Sequence, residues 1–134
     1  MSDIDAALAY KVINTPGVFS LIGTRFYPIN LPQIATFPLA VYQSITGTNI
    51  KTHGAPTALP RVRYQIKAWA LTFAEVVAID YAIKTAIDGK REDWGTGASL
   101  TSIHECTAFT EPRDDRDPVT GLYWRSRDYF IRYK

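Results

Sequence analysis

The chain has 134 residues, of which 46% are hydrophobic, and this is enough for one domain with one core. Its net charge of +2 is smaller than the bias of most dedicated nucleic-acid-binding proteins, and its one cysteine, Cys106, excludes an intrachain disulfide. No apolar run is long enough to cross a bilayer, and the acidic start of the chain precedes no signal-peptide core. We therefore expect a soluble protein, made in the cytoplasm, with a single domain over residues 1–134.

The first 28 residues predict a helix, a single helical turn and a short edge strand. Ser2 and Asp5 have the spacing of a capping box, which satisfies free backbone N–H groups where a helix begins. The apolar residues that follow at helical spacing are Ile4, Leu8 and Val12. Pro16 ends this helix, residues 18–22 form one further helical turn, and residues 25–27 form the edge strand.

Two segments with alternating polarity, residues 38–46 and Arg61–Ala70, predict a long strand hairpin. In the second segment the polar residues Arg61, Arg63, Gln65 and Lys67 alternate with Val62, Tyr64, Ile66 and Ala68. Successive side chains of a strand point to opposite faces, so this strand has one polar and one apolar face. Residues 47–60 between the two strands have loop chemistry, and they are more than a tight turn requires.

The best-defined helix begins at Thr72, which forms a second capping box with Glu75. Its continuous apolar stripe consists of Val76, Ile79, Ile83, Ala86 and Ile87. We assign Asp80 and Lys84, one turn apart, to the wetter side as a modest ion pair. Gly89 stands where a left-handed cap is expected. This helix is therefore expected to cover one face of the sheet.

The last third of the chain predicts two more strands, residues 100–109 and 122–133, on either side of a charged, solvated loop at residues 111–118. The apolar residues of the last strand change parity between Trp124 and Tyr129, so we expect a bulge near Ser126 and Arg127. Together these elements indicate an α+β fold: a mostly antiparallel sheet of about four to five strands with two helices packed on one face.

Few residues suggest chemistry. His104 and Cys106 alternate on a predicted strand, but a metal site would need more ligands at usable spacing, and a free cysteine is most often a small core residue. Asp114, Asp115 and Asp117 resemble part of a calcium loop but lack its glycine and its final glutamate. The sequence contains no phosphate-binding loop, dinucleotide fingerprint or nucleophile elbow. We predict no enzymatic activity, no cofactor and no metal.

A basic row on one strand leaves two interpretations open. The row consists of Arg61, Arg63 and Lys67, and a further basic region consists of Arg125, Arg127 and Arg132. With Trp69, Tyr42 and Tyr64 nearby, this face has the composition of a surface that stacks nucleic-acid bases. The other interpretation is a face kept soluble by charge, or a salt-bridged contact between subunits.

The order of these segments resembles one known family. Residues 37–48, FPLAVYQSITGT, resemble its second strand and the exit from that strand. Four further segments match the family in the same order. They are the opening helix followed by residues 25–28, the alternating strand, the capped helix behind it, and the ending DPVTGLYWRSRDY at residues 117–129. Together they resemble the small tail completion, or tail terminator, proteins of long-tailed bacteriophages, and the resemblance covers most of the chain.

The resemblance implies a structural role at the head–tail junction of a virion that is assembled in the host cytoplasm. Such proteins form a homo-oligomeric ring, commonly of six copies, that caps the finished tail tube and receives the head connector, or stopper, protein. The implied ring makes no membrane contact, and DNA passes through it without specific binding. The alternative is a small nucleic-acid-binding accessory protein that uses the basic strand face.

Residue type and position suggest where such a ring makes its contacts, because aromatic and arginine residues are enriched at interfaces. The candidate contacts between subunits are Trp94, Tyr123, Trp124 and Arg125. The charged candidates for docking on the tube, or for setting the register between copies, are Arg113, Asp114, Asp115 and Arg116. The candidate lumen or basic face is Arg61, Arg63 and Lys67.

Overall fold

The computed structural model describes residues 4–29, 35–46, 61–109 and 111–134. Within these ranges the helices are α1 (Ile4–Ile13), α2 (Pro16–Ile22) and α3 (Phe73–Ile87). The strands are β1 (Phe26–Pro28), β2 (Leu39–Thr46), β3 (Arg61–Ala70), β4 (Asp93–Trp94), β5 (Thr101–Ala108), β6 (Arg113–Arg116) and β7 (Tyr123–Tyr133). The predicted cap at Ser2 and the predicted loop at residues 47–60 lie outside the described residues. No helix in the described ranges is both long and apolar enough to cross a membrane.

The strands form one sheet in the order β1-β2-β3-β7-β5-β4, and β6 also pairs with β7. β7 pairs with β3 along its whole length on one side, while on the other side its first half pairs with β6 and its second half with β5. All pairs are antiparallel except that of β1 with β2. α1 contacts both β1 and β4, which stand at the two ends of this order, so the sheet curls.

The prediction of an α+β fold with a mostly antiparallel sheet is confirmed, but its counts were too low. The described residues form three helices and seven strands, where two helices and four to five strands were expected. α2 is a complete helix of two turns, because Pro16 occupies a first-turn position where its missing N–H does no harm. The two strands that the sequence did not reveal, β4 and β6, have only two and four residues.

β3 alternates as predicted, since its even-numbered residues are buried and its odd-numbered residues are half-buried. These even-numbered residues form one core cluster with the buried residues of all three helices, so the helices cover the same side of the sheet. We call this side the helix face and the opposite side the open face. The other strands contribute to the cluster Phe26, Ala40, Tyr42, Trp94, Ile103, Cys106, Tyr129 and Ile131.

α3 begins and packs as predicted. The Thr72 hydroxyl accepts the N–H of Glu75 at 3.3 Å and donates to its carboxylate at 2.9 Å, which satisfies a donor that the helix itself cannot pair. The predicted apolar stripe is buried against β3 and β7. Beyond the helix, Gly89 has a φ of 73°, a left-handed conformation that favours glycine.

Asp80 corrects the prediction that it faces solvent and pairs with Lys84. Its side chain is buried, and Arg127 of β7 donates to the two carboxylate oxygens at 3.0 and 2.9 Å. The position explains this outcome, because Asp80 lies four residues after Val76 and three before Ile83 and therefore belongs to the buried stripe. The hydrogen bond to Asp80 raises the pKa of the Arg127 guanidinium, which stays charged.

The predicted loop at residues 111–118 contains β6, although all four residues of that strand are exposed as expected. The predicted bulge near Ser126 and Arg127 was wrong. Pairing between β3 and β7 runs without interruption, and an irregularity lies instead in β5 between Ile103 and Glu105. The parity change has a different cause: Trp124 pairs with Trp69 on the open face, while Arg127 takes a position on the helix face.

We expect Asp80→Asn to lower the free energy of unfolding by about 3 kcal/mol, because it leaves the buried charge of Arg127 without a carboxylate. This loss of unfolding free energy is at the low end of the range for buried ion pairs that lose one partner, since Arg127 keeps its hydrogen bond to the carbonyl of Phe109. Urea unfolding followed by circular dichroism measures it. Glu105→Gln is the matched control: its ion pair with Arg132 is exposed, at 3.9 Å, and should contribute less than about 1 kcal/mol. Equal losses would contradict the interpretation.

Tyr129 gives a second stability test. Its hydroxyl is buried without a hydrogen-bond partner in the described part of the chain. We expect Tyr129→Phe to raise the free energy of unfolding by about 1 kcal/mol, since it removes a desolvated, unpaired hydroxyl. Tyr64→Phe is the control: it removes a hydroxyl that donates to Asp5 and should cost about 1 kcal/mol. Thermal unfolding compares the two, and a loss in both would refute the expectation.

Candidate interaction surfaces

The open face carries cations that lie over aromatic rings. The guanidinium of Arg61 lies 4.0 Å from the centre of the Phe130 ring, and the ammonium of Lys67 lies 4.0 Å from that of Trp124. The same ammonium of Lys67 lies 4.8 Å from the centre of the Trp69 ring. Arg61 and Lys67 each lie diagonally across the β3–β7 pair from the ring they contact, since Phe130 stands opposite Arg63 and Trp124 stands opposite Trp69. Strand pairing therefore produces an interleaved row of charge and rings.

Part of this charge is neutralised or desolvated within the protein. Arg63 donates to the carboxylate of Asp128 and also lies 4.9 Å from the Phe109 ring. Burial lowers the pKa of Lys67, although the nearby charge of Asp117 opposes the shift. The ring faces that would be available for stacking are covered by the protein's own cations. The predicted basic row of Arg61, Arg63 and Lys67 exists, but its side chains contact aromatic rings and a carboxylate of the same chain.

The rest of the predicted nucleic-acid surface is not assembled. Tyr42 and Tyr64 lie on the helix face and are buried, so they do not accompany Trp69. Arg125 and Arg127 also lie on the helix face, where acidic residues bind them. The arginine of the second basic region that does share the open face is Arg132, which lies opposite Arg61 and 3.9 Å from Glu105.

Trp94 corrects a predicted contact between subunits. Its side chain is 1% exposed and belongs to the core cluster, and its indole N–H donates to Glu92 at 3.2 Å. β4, which holds it, pairs with β5 at Thr101. A two-residue strand leaves almost no sequence pattern, so nothing in the sequence distinguished this tryptophan from a surface one. Trp94 is a core residue.

The charged strand β6 is tied to the helix layer by Arg125. Arg125 donates to both carboxylate oxygens of Asp114, at 2.6 and 2.9 Å, and lies 3.7 Å from the carboxylate of Asp80. The hydrogen bond to Asp114 raises the pKa of the Arg125 guanidinium. Arg125 therefore acts as a structural link, while Arg113, Asp115 and Arg116 keep exposed side chains.

Sequence reasoning missed an exposed apolar stripe on the outer side of α3. Leu71 is 65% exposed, and Phe73 and Tyr81 of the helix are 44% and 70% exposed. The Phe73 ring makes an edge contact with Tyr123 of β7, at 6.1 Å between ring centres. The signal was present, because positions 73, 77 and 81 repeat every four residues, but the stronger stripe of isoleucines drew the helix assignment.

The candidates for chemistry have structural surroundings. Burial raises the pKa of the Cys106 thiol to about 12, and nearby Asp88 and Glu105 add to the shift, so the reactive thiolate is suppressed. His104 lies at the irregular position of β5, out of register with β7. Among the residues that the structure describes, no three potential ligands come together to hold a metal ion.

Comparison with known proteins gives these surfaces a context. The tail completion protein gp17 family matches residues 6–134, which is nearly the whole chain. A chain of the solved structure "Virion of native gene transfer agent (GTA) particle" shares the fold, with a TM-score of 0.72 at 13% sequence identity, over 97% of this chain and 93% of that chain. A search of the curated proteins found no match. The chain belongs to the tail completion protein gp17 family and is a structural protein of a bacteriophage-type virion tail.

Proposed function

We propose that copies of the protein form a ring, commonly of six, that caps the bacteriophage tail tube and joins it to the head connector, or stopper, protein. The family match over residues 6–134 is the observation that carries this proposal. The fold supports it, because a sheet centred on β7 and tied to α3 is a rigid body with several separate exposed surfaces. A head-to-tail contact, repeated around an axis, closes into a ring when the rotation returns to its start.

The open face suits the lumen of such a ring, with Arg61, Arg63 and Lys67 as its basic residues. A cation that is already in contact with a ring, or with Asp128, attracts phosphate less than a free side chain does. The covered rings do not offer a stacking platform to bases. DNA would therefore pass this face without specific binding. The same observations argue against the nucleic-acid-binding accessory protein, which would need free cations for phosphates and uncovered rings for bases.

The exposed residues of β6 suit a docking role. Each face of the strand presents one basic and one acidic residue, and the position of β6 on a hairpin that is anchored by Arg125 gives these residues a fixed orientation. Such a pattern selects a partner and a register through charge complementarity more than it adds affinity. We assign Arg113, Asp115 and Arg116 to contact with the tail tube or with the neighbouring copy. Trp124 adjoins this strand on the open face, and Tyr123 adjoins it on the helix face.

The proposal is tested by removing the protein from an infection. A nonsense codon in its gene should give filled heads and separate tails, because nothing closes the tube or receives the connector. Electron microscopy of the lysate counts joined particles, and purified protein added to that lysate should restore them. Joined, infectious particles in the absence of the protein would contradict the proposal.

Two measurements on the purified protein serve as controls. Light scattering, with and without tail tubes, reports whether copies form a ring or add to tube ends; the tube is included because it can act as the template for closure. Binding of duplex DNA across a salt series separates the alternative function, since backbone contacts give an affinity that falls steeply with salt. Strong, salt-sensitive binding without self-assembly would favour the accessory protein.

A further inference from the structure

The outer side of α3 carries an apolar surface that the core does not use. Leu71, Phe73 and Tyr81 are exposed, with the half-buried Val77 between the last two. We call these four residues the α3 stripe. The three helical positions are spaced by four residues, so they share one side of the helix over about 12 Å. Aromatic and aliphatic side chains grouped in this way are typical of the centre of a protein–protein contact.

The edge of β1 is a poor place for another copy to add a strand. The carbonyl of Arg25 and the N–H of Ile29 bond to β2, so the alternate residues Phe26 and Pro28 direct their backbone groups outward. The N–H of Phe26 donates instead to the carbonyl of Thr24 at 2.8 Å, and proline has no N–H. The outward edge of β1 therefore lacks a free donor for a ladder.

The edge of β6 is partly closed in the same way. The N–H of Asp117 bonds to the carbonyl of Leu122, and antiparallel alternation then turns the backbone groups of Asp114 and Arg116 outward. The carboxylate of Asp115 accepts the N–H of Arg116 at 2.7 Å, which removes one of the two outward donors. Contacts between copies at these two edges must therefore rely mainly on side chains.

A surface that complements the α3 stripe lies between the start of α1 and the edge strand β1. A pocket of about 240 Å³ opens there, lined by Asp5, Pro28, Ile29, Tyr42, Gln43 and Ser44. The Asp5 carboxylate accepts the Tyr64 hydroxyl, and within the described residues no cation pairs with it. Ile29 is 63% exposed and has a φ of 65°, an unfavourable conformation for a β-branched residue. A strained, exposed isoleucine beside a carboxylate indicates a contact surface.

The stripe and the pocket lie on opposite sides of α3. Phe73 and Asp80 are within about 20° of each other around the helix axis, and both contact β7, so this side of α3 faces β6 and β7. The pocket lies beyond β3, at β2 and β1, which stand at the other end of the strand order from β6 and β7. Arg116 lies beside the stripe, 5.7 Å from the Tyr123 ring, with no acidic partner in the described part of the chain.

We propose that the α3 stripe of one copy binds the β1-edge pocket of the next copy, with Arg116 approaching Asp5. This contact is head-to-tail, since the two surfaces differ and lie on opposite sides of one chain, and repetition of such a contact builds a ring. It brings a cation that has no acidic partner among the described residues to a carboxylate that has no cationic partner there, and it covers apolar side chains on both copies. The inference rests on the proposed function for the ring and names the surfaces that close it.

The test places the photoreactive residue p-benzoylphenylalanine at Tyr81 in a mixture of isotopically labelled and unlabelled copies. The mixture is irradiated on tail tubes and, separately, in concentrated solution. Mass spectrometry should find crosslinks between labelled and unlabelled copies, with the acceptor within residues 26–29 or near Asp5. The same probe at Phe19 of α2, which is 54% exposed, is the matched control and should give none at these acceptors.

A substitution provides the second readout. Tyr81→Asp should weaken self-association at least about tenfold, or 1.4 kcal/mol, because it places an unpaired charge in an apolar contact. Phe19→Asp should leave association unchanged, and circular dichroism checks that both variants fold. Crosslinks to another surface, no crosslink between copies, or equal weakening by the two variants would overturn the assignment. Such a result on a protein that still restores joined particles would leave the proposed function standing.

Discussion

One buried carboxylate holds the helix layer to the sheet. Asp80 of α3 binds Arg127 of β7, which also donates to the carbonyl of Phe109 at the end of β5. Asp80 also lies near Arg125, which binds Asp114 of β6. Burying these charges contributes little net stability compared with an apolar core, but an unpaired charge there is costly, so arrangements that separate the partners are disfavoured. This network therefore helps to fix how α3, β6 and β7 lie relative to one another, and with them the surfaces that they carry.

Much of the fold could be predicted from local pattern, and the failures have physical causes. The alternation of β3 and the stripe behind Thr72 specify their elements directly. Helical spacing places Asp80 on the buried stripe, but the partner that neutralises its charge is 47 residues away, and no local pattern reveals that partner. β6 was predicted as a loop because its four charges are typical of solvated segments. The sequence predicts Trp94 at a subunit contact, because β4 has only two residues and gives almost no pattern that would indicate a core position.

The candidate surfaces divide along the two faces of the sheet. On the open face, pairing of β3 with β7 brings Arg61, Arg63 and Lys67 close to aromatic rings, so these cations and rings contact one another. On the helix face, the guanidinium of Arg125 lies 5.5 Å from the centre of the Phe73 ring, but Leu71 and Tyr81 of the α3 stripe are 65% and 70% exposed. The resemblance to tail completion proteins could be recognised from the order of segments, but it does not reveal this division. Which residues are free to meet a partner depends on strand register, which a single sequence specifies only weakly.

The closed edge of β1 and the partly closed edge of β6 also matter before a tail is assembled. A structural protein accumulates in its host until the assembly it serves is ready, and crowded subunits with open ladders would template fibres. The N–H of Phe26 donates to the carbonyl of Thr24, and Pro28 has no N–H. The carboxylate of Asp115 accepts the N–H of Arg116. Subunits with such edges are therefore less prone to add strands to one another.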